Sequence, residues 1–168
     1  MATTEFFRCY GASNRADKLV CLSSSNYLLI FGFDTDEYGN NMTWRKYYDH
    51  KPSLREIKQD ISDLVNTETD AKILTGFTWN SKPVYLSTEN QQNYKAAYDL
   101  AVQTSGATLP VKFKLGEDEN GNAVYHTFEA MDDFTDFYSK AIQWVYGCIA
   151  DGWKEKDNVD YDELLGDS

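Results

Sequence analysis

The sequence predicts an α+β fold: a small antiparallel sheet built of hairpins, packed with about three helices and preceded by a β-rich N-terminal segment. Three observations carry that prediction. Short aromatic or β-branched runs separated by turn signals fill the first fifty residues. At Ser53 the apolar period changes from that of a strand to that of a helix. From there the order helix, hairpin, helix, hairpin, helix follows, which suits helices laid on one face of a sheet.

Taken in order, EFFRCY, KLVCL, NYLLIFGF and MTWRKYY read as strands. Turns are expected at Gly11 to Asn14, Ser23 to Asn26 and Asp34 to Asn41. These strands either extend the later sheet or form a separate β-unit. Pro52 disfavours helix at Lys51, and Ser53 followed by Glu56 forms a capping box. Leu54, Ile57, Ile61, Leu64 and Val65 then share one helical stripe. This helix is expected to pause near Asn66 and Thr67, resume through Ile73, and stop at Gly76 as a left-handed cap.

In GFTWNSKPVYLSTENQQNY, Phe77 and Trp79 alternate with Thr78, and Val84 and Leu86 alternate with Tyr85. With Asn80-Ser81-Lys82-Pro83 as the turn, that is a hairpin with one apolar face. Thr88 and Gln91 make a second capping box. The next helix has the stripe Tyr94, Ala97, Tyr98, Ala101 and Val102 and ends at Gly106. LPVKFKL and AVYHTF flank a loop whose Asn120-Gly121 signals a second hairpin. A last helix runs from Met131 to Asp151, with Met131, Phe134, Tyr138, Ala141, Val145, Cys148 and Ile149 as its stripe and Gly152 as its stop. The chain therefore divides into a β-rich segment at 1–50, an α+β domain at 51–153 and an acidic polar tail at 154–168. That tail frays unless Tyr161, Leu164 and Leu165 dock.

The formal net charge is −11, with 27 acidic against 16 basic residues and no Lys/Arg run. Binding to nucleic acid or anionic lipid needs a cationic face, so neither is expected as a partner. Cys9, Cys21 and Cys148 lack metal-ligand spacing and read as reduced thiols. MATTEFFRC has neither a basic leader nor an apolar core, so no signal peptide is expected there. The longest apolar run, Tyr27 to Phe33, is far short of the ~20 residues that span a bilayer.

Residues suited to chemistry are sparse. Asp34-Thr35-Asp36-Glu37-Tyr38-Gly39 opens like a calcium loop, but Arg45 falls where a bidentate Glu is needed, so a solvated hairpin loop is expected. His50 and His126 have no second His or Cys at ligand spacing. No nucleophile elbow or glycine-rich phosphate loop is present. Catalytic, metal and cofactor-binding residues are accordingly none, and the chain reads as a non-enzyme.

Aromatic residues make up 15% of the chain. Phe6, Phe31, Phe113, Phe134 and Trp144 are assigned to core packing. Tyr47, Tyr48, Trp79, Tyr85, Tyr94 and Trp153 are too numerous for one small core, and Tyr47, Tyr48, Trp79, Tyr85 and Trp153 form the candidate interface, because Tyr and Trp dominate binding surfaces. Trp79 has a second reading, in which its hairpin is a folding device that lids the core and aims the next helix.

The segment from Tyr47 to Trp153 resembles a phage-borne domain of unknown function. It is similar to small proteins of tailed phages and prophages, including those of gut Bacteroidales, often encoded beside tail-fibre genes. The resemblance is carried by Gly76-Phe77, Trp79-Asn80, Ser87-Thr88-Glu89-Asn90-Gln91 with Asn93, and the closing helix. It implies a virion-associated, tail-located role among other virion or tail-fibre proteins in an oligomeric assembly, made in the host cytoplasm. The alternatives are a transient tail-fibre assembly chaperone, or a carbohydrate-binding module for host recognition that stacks sugars on Trp79 and Tyr85.

Overall fold

The structure, a computed structural model, describes residues 4–13 and 16–166. The Asn14 end of the first expected turn lies outside them. Among the described residues there are four helices and three antiparallel sheets, an α+β architecture. The chain divides into two compact units, Met1–Val65 with Glu155–Ser168, and Asn66–Lys154.

In the first unit, β1 (Phe7–Tyr10), β2 (Lys18–Cys21), β3 (Tyr27–Thr35) and β4 (Asn41–Tyr48) form a separate four-stranded sheet in the order β1-β4-β3-β2. Its core joins Leu19, Leu29, Phe31 and Tyr48 to Ile57, Ile61, Leu64 and Val65 on the first half of α1 (Leu54–Thr75). The first unit thus extends to Val65 and does not end between Asp49 and Pro52, because those four helical residues have their apolar partners on the sheet. Leu54, included in the expected stripe, is exposed.

The acidic tail does not fray as a polar appendage. It forms α4 (Tyr161–Leu165), capped by Asp160 accepting from Glu163 N at 2.9 Å, and Leu164 is fully buried in the first unit's core.

Helix α1 runs on without the expected pause at Asn66 and Thr67. Ser53 Oγ accepts from Glu56 N at 3.2 Å, but the Glu56 carboxylate turns to His50 and does not complete the capping box. The helix does end before Gly76, though Gly76 lacks a left-handed φ. Its need for glycine is steric: a Cβ there would lie 2.6 Å from the Lys72 carbonyl oxygen and 2.7 Å from the Trp144 ring.

The second unit continues with β5 (Phe77–Trp79) and β6 (Lys82–Val84), joined by Asn80 and Ser81 alone. Both residues have positive φ, 47° and 61°, as a two-residue hairpin requires, so Lys82 and Pro83 belong to the strand and not to the turn. Helix α2 (Thr88–Gln103) starts one residue earlier than the Thr88 box implies. Ser87 is its cap and accepts from Asn90 N at 3.1 Å. Asn90 and Gln91 then reach back, their side-chain amides donating to the Tyr85 and Leu86 carbonyls at 2.8 Å each. The strand end and the helix start are thereby locked together. Val102, expected on the buried stripe, is exposed.

Strands β7 (Val111–Glu117) and β8 (Ala123–Phe128) form the second hairpin. Its loop does not use Asn120-Gly121 as a two-residue turn, since only Gly121 takes a positive φ. Asp118 N donates to Asn122 O, and Asp118 Oδ1 accepts from Asn120 N and Asn122 N at 2.9 and 2.8 Å. The β3–β4 loop repeats this arrangement: Asp36 Oδ1 accepts from Tyr38 N and Asn40 N at 2.9 and 2.7 Å, and Gly39 has φ 80°. Asp36-Glu37-Tyr38-Gly39-Asn40 and Asp118-Glu119-Asn120-Gly121-Asn122 are one local motif used in both units.

Helix α3 (Met131–Asp157) passes through Gly152 instead of stopping there. A Cβ at Gly152 would meet Thr69 Oγ1 at 2.6 Å, so this glycine admits a close approach of α3 to α1 within the second unit. Phe137, absent from the expected stripe, is fully buried.

Candidate functional site

The aromatic candidates separate into buried and exposed sets. Trp79 is only 2% exposed. Its ring packs against His126, Phe128 and Phe137 at centroid distances of 4.9, 5.6 and 5.3 Å, and its indole N–H donates to Asp136 Oδ2 at 2.9 Å. Trp79 therefore belongs to the core and not to a surface, in keeping with the folding-device reading. It is an apolar ring with one polar tip, and both parts are satisfied internally. Lys140 and then the Trp79 N–H hold the Asp136 carboxyl below its ordinary pKa.

Tyr48 also leaves the interface set. It is fully buried, and its hydroxyl donates to Asp60 Oδ2 at 2.6 Å while Lys46 Nζ pairs with Asp60 Oδ1 at 2.9 Å. Burial, followed by the hydrogen bond to Asp60, pushes the phenol above its ordinary range. The neighbouring Tyr47 points to the other side of the sheet, half-buried and stacked on Phe7 at 5.8 Å.

Tyr85 and Trp153 remain exposed, at 44% and 62%. Tyr85 lines an open cleft of about 610 Å³ with Leu74, Thr75, Pro83, Asn90, Lys114 and Glu117. The cleft is shaped by a close backbone approach: Tyr85 N donates to Leu115 O at 2.7 Å, and a Cβ on Gly116 would sit 2.8 Å from Pro83 O. Trp153 lies seven residues after Tyr146, itself 67% exposed, and so on the same face of α3. A further exposed ring, Tyr125 on β8, has Lys112 Nζ 4.7 Å above it. Sequence reasoning missed Tyr125 and Tyr146, although each stands opposite in phase to the buried positions of its element.

The histidines are held by neighbours. His50 Nδ1 lies 2.8 Å from Asp49 Oδ1, and Nε2 lies 3.0 Å from both Glu56 oxygens. Asp49 first and Glu56 second raise the pKa of this imidazole. His126 lies between Lys82 Nζ and Asp133 Oδ2, each 2.8 Å away. An ammonium group only donates, so Nδ1 accepts from Lys82 and Nε2–H donates to Asp133. In the loop first compared with a calcium site, Asp36 spends its carboxylate on Tyr38 and Asn40, which lowers its pKa. Among the described residues no cluster of three or more His, Cys, Asp or Glu is arranged to hold a metal ion. No helix among them is long and apolar enough to cross a membrane.

A family model described as a domain of unknown function, DUF4376, matches residues 56–167. The chain belongs to this family. The match covers all of the second unit and reaches α4, whereas β1 to β4 lie outside it. No curated protein and no solved structure matches the chain. The matched residues thus contain the Trp79 core, and the four-stranded sheet precedes them in the chain.

Proposed function

We propose that the protein is a non-enzymatic virion-associated component of a tailed phage, placed in the tail or tail-fibre attachment region and acting by protein–protein docking. The observation that carries this reading is the surplus of exposed rings in the second unit. Tyr85, Tyr125, Tyr146 and Trp153 stand 44–67% exposed beside a core already filled by other aromatics. Large rings at low entropic cost are what docking surfaces use. The resemblance of Tyr47 to Trp153 to tail-associated phage proteins supplies the setting. Partners on this reading are other virion or tail-fibre proteins in an oligomeric assembly, which the protein joins after synthesis in the host cytoplasm.

Quantitative mass spectrometry of purified virions tests the proposal. Recovery at a fixed ratio to the fibre protein supports it. Absence from particles, together with improved fibre solubility on co-expression, would replace it with a transient assembly chaperone.

A further inference from the structure

The pairing register assigns each strand residue of the first unit to one of two sheet faces. One face carries Leu19, Leu29, Phe31 and Tyr48 and is covered by α1 and α4. Phe7, Val20, Leu28, Ile30 and Tyr47 fall on the other. None of these five belongs to either core cluster or is packed against one; Phe7 is 39% exposed, Val20, Ile30 and Tyr47 are half-buried, and Leu28 is buried at 8%.

Two polar residues interrupt that second face, Thr43 and Arg45, each buried at a side-chain atom that lacks a hydrogen-bond partner: Thr43 Oγ1 and Arg45 Nε. Thr43 is 2% exposed. Arg45 is half-buried, its Nε is left without a hydrogen-bond partner, and a bidentate carboxylate is the group that the guanidinium geometry fits best. Lys18, opposite Ile30, is the other charged strand residue on this face. In a chain with 27 acids and 16 bases, these strands therefore present cations and no carboxylate on that side. The nearest acids in sequence, Glu5 and Asp17, lie outside the strands, and Asp17 accepts from Gly32 N at 2.9 Å. A second copy would bring the same cations face to face, so self-pairing is opposed.

We propose that this face docks a segment of a partner protein that presents an Asp or Glu between apolar side chains, with Arg45 as the counter-ion. The inference rests on the docking reading above and supplies the partner's chemistry. Its specificity would come from the charge pair and its area from Phe7, Tyr47 and Ile30.

The test is selection of a random peptide library displayed on yeast against the full chain. Selected peptides are expected to be enriched in Asp or Glu flanked by aliphatic or aromatic residues. Their affinity should fall roughly 30-fold or more in Arg45→Gln, the loss typical of removing one partner of a desolvated pair. Selection against Arg45→Glu should instead yield Lys or Arg. Should Arg45→Gln fail to fold by circular dichroism, Lys18→Glu and Tyr47→Ser probe the same face, and each should weaken binding. Peptides without acidic enrichment, or binding indifferent to these variants, overturn the proposal. So does a dimer in sedimentation that Arg45→Glu dissolves, since the occupant would then be a second copy. Absence from virions would sink the tail assignment without altering any of these outcomes.

Discussion

In the second unit, the strand aromatics Phe77 and Trp79 are enclosed: Trp79 meets Phe128 from β8 and Phe137 from α3, and its N–H has Asp136. In the first unit, adjacent tyrosines on β4 part company. Tyr48 enters a helix-covered core with Asp60 as partner, while Tyr47 lies on the other face, stacked on Phe7 and near an unpartnered Arg45 Nε. Alternation alone puts rings on both sides of a strand. Which side is sealed depends on a helix stripe elsewhere in the chain and on a carboxylate placed to meet each polar tip. The family match includes the second unit and also the α1 and α4 residues that cover the sheet, leaving the strands β1 to β4 outside it. The contrast is between strand rings sealed on all sides and a sheet face that no helix covers, while the second unit's own exposed rings lie outside its core.

The contrast breaks most easily at Trp79. Trp79→Ala should destabilise the chain by about 3–5 kcal/mol in denaturant unfolding, and it strands Asp136 without its indole partner. Trp153→Ala, at an exposed position, should stay within about 0.5 kcal/mol. Equal effects would erase the distinction between core and surface rings. Next in size, Leu164→Ala should cost about 2–5 kcal/mol, because α4 contributes a fully buried side chain to the first unit. A negligible loss would mean that the tail does not belong to that core.

Two glycines on α3 sharpen the account of the second unit. Gly152→Ala should destabilise by about 1–3 kcal/mol through collision with Thr69. Gly147→Ala, with nothing within 4 Å of the added carbon, should stabilise by about 0.5–1 kcal/mol. Opposite signs in thermal melts are the expected outcome.

The smallest effect is His50. Its folded pKa lies above the ordinary 6.5, raised by Asp49 and Glu56. Its contribution is therefore fully present below the unfolded pKa and is lost as pH rises through the folded value. The melting temperature of the parent should show a decline over that window that His50→Ala lacks. Asp36 and Asp118 act in the opposite direction. Their folded pKa values lie below 3.8, so their stabilisation is present above that value and is lost as pH falls through the lower folded pKa.

Much of the fold is legible in the sequence because periodicity reports burial directly. The four N-terminal strands, the Phe77–Trp79 hairpin and the three long helices all stand where alternation or a helical stripe locates them. Glycines and turns are less legible, since their roles depend on what faces them. Gly152 resembles a helix stop but serves a contact with Thr69, and Gly76 stops a helix for a steric reason instead of a left-handed one. Asn80-Ser81 makes the two-residue turn, while the stronger Asn120-Gly121 signal sits in a longer loop closed by Asp118. The candidate interface was legible only in part. Tyr85 and Trp153 are exposed, but Tyr48 and Trp79 are buried because Asp60 and Asp136, distant in sequence, satisfy their polar ends. Arg45 carried no local signal, as the unpartnered Nε and the face it lies on appear only once the strand register is known.

Zero-length carbodiimide cross-linking of purified particles, read by mass spectrometry, tests the central claim most directly, because it couples a lysine only to a carboxylate in contact with it. The account predicts a link from Lys18, on the open side of the sheet, to an Asp or Glu of another virion protein. Particles containing the chain with links only between its own residues would contradict the claim that it docks through this surface, whereas particles lacking it would sink the tail assignment alone.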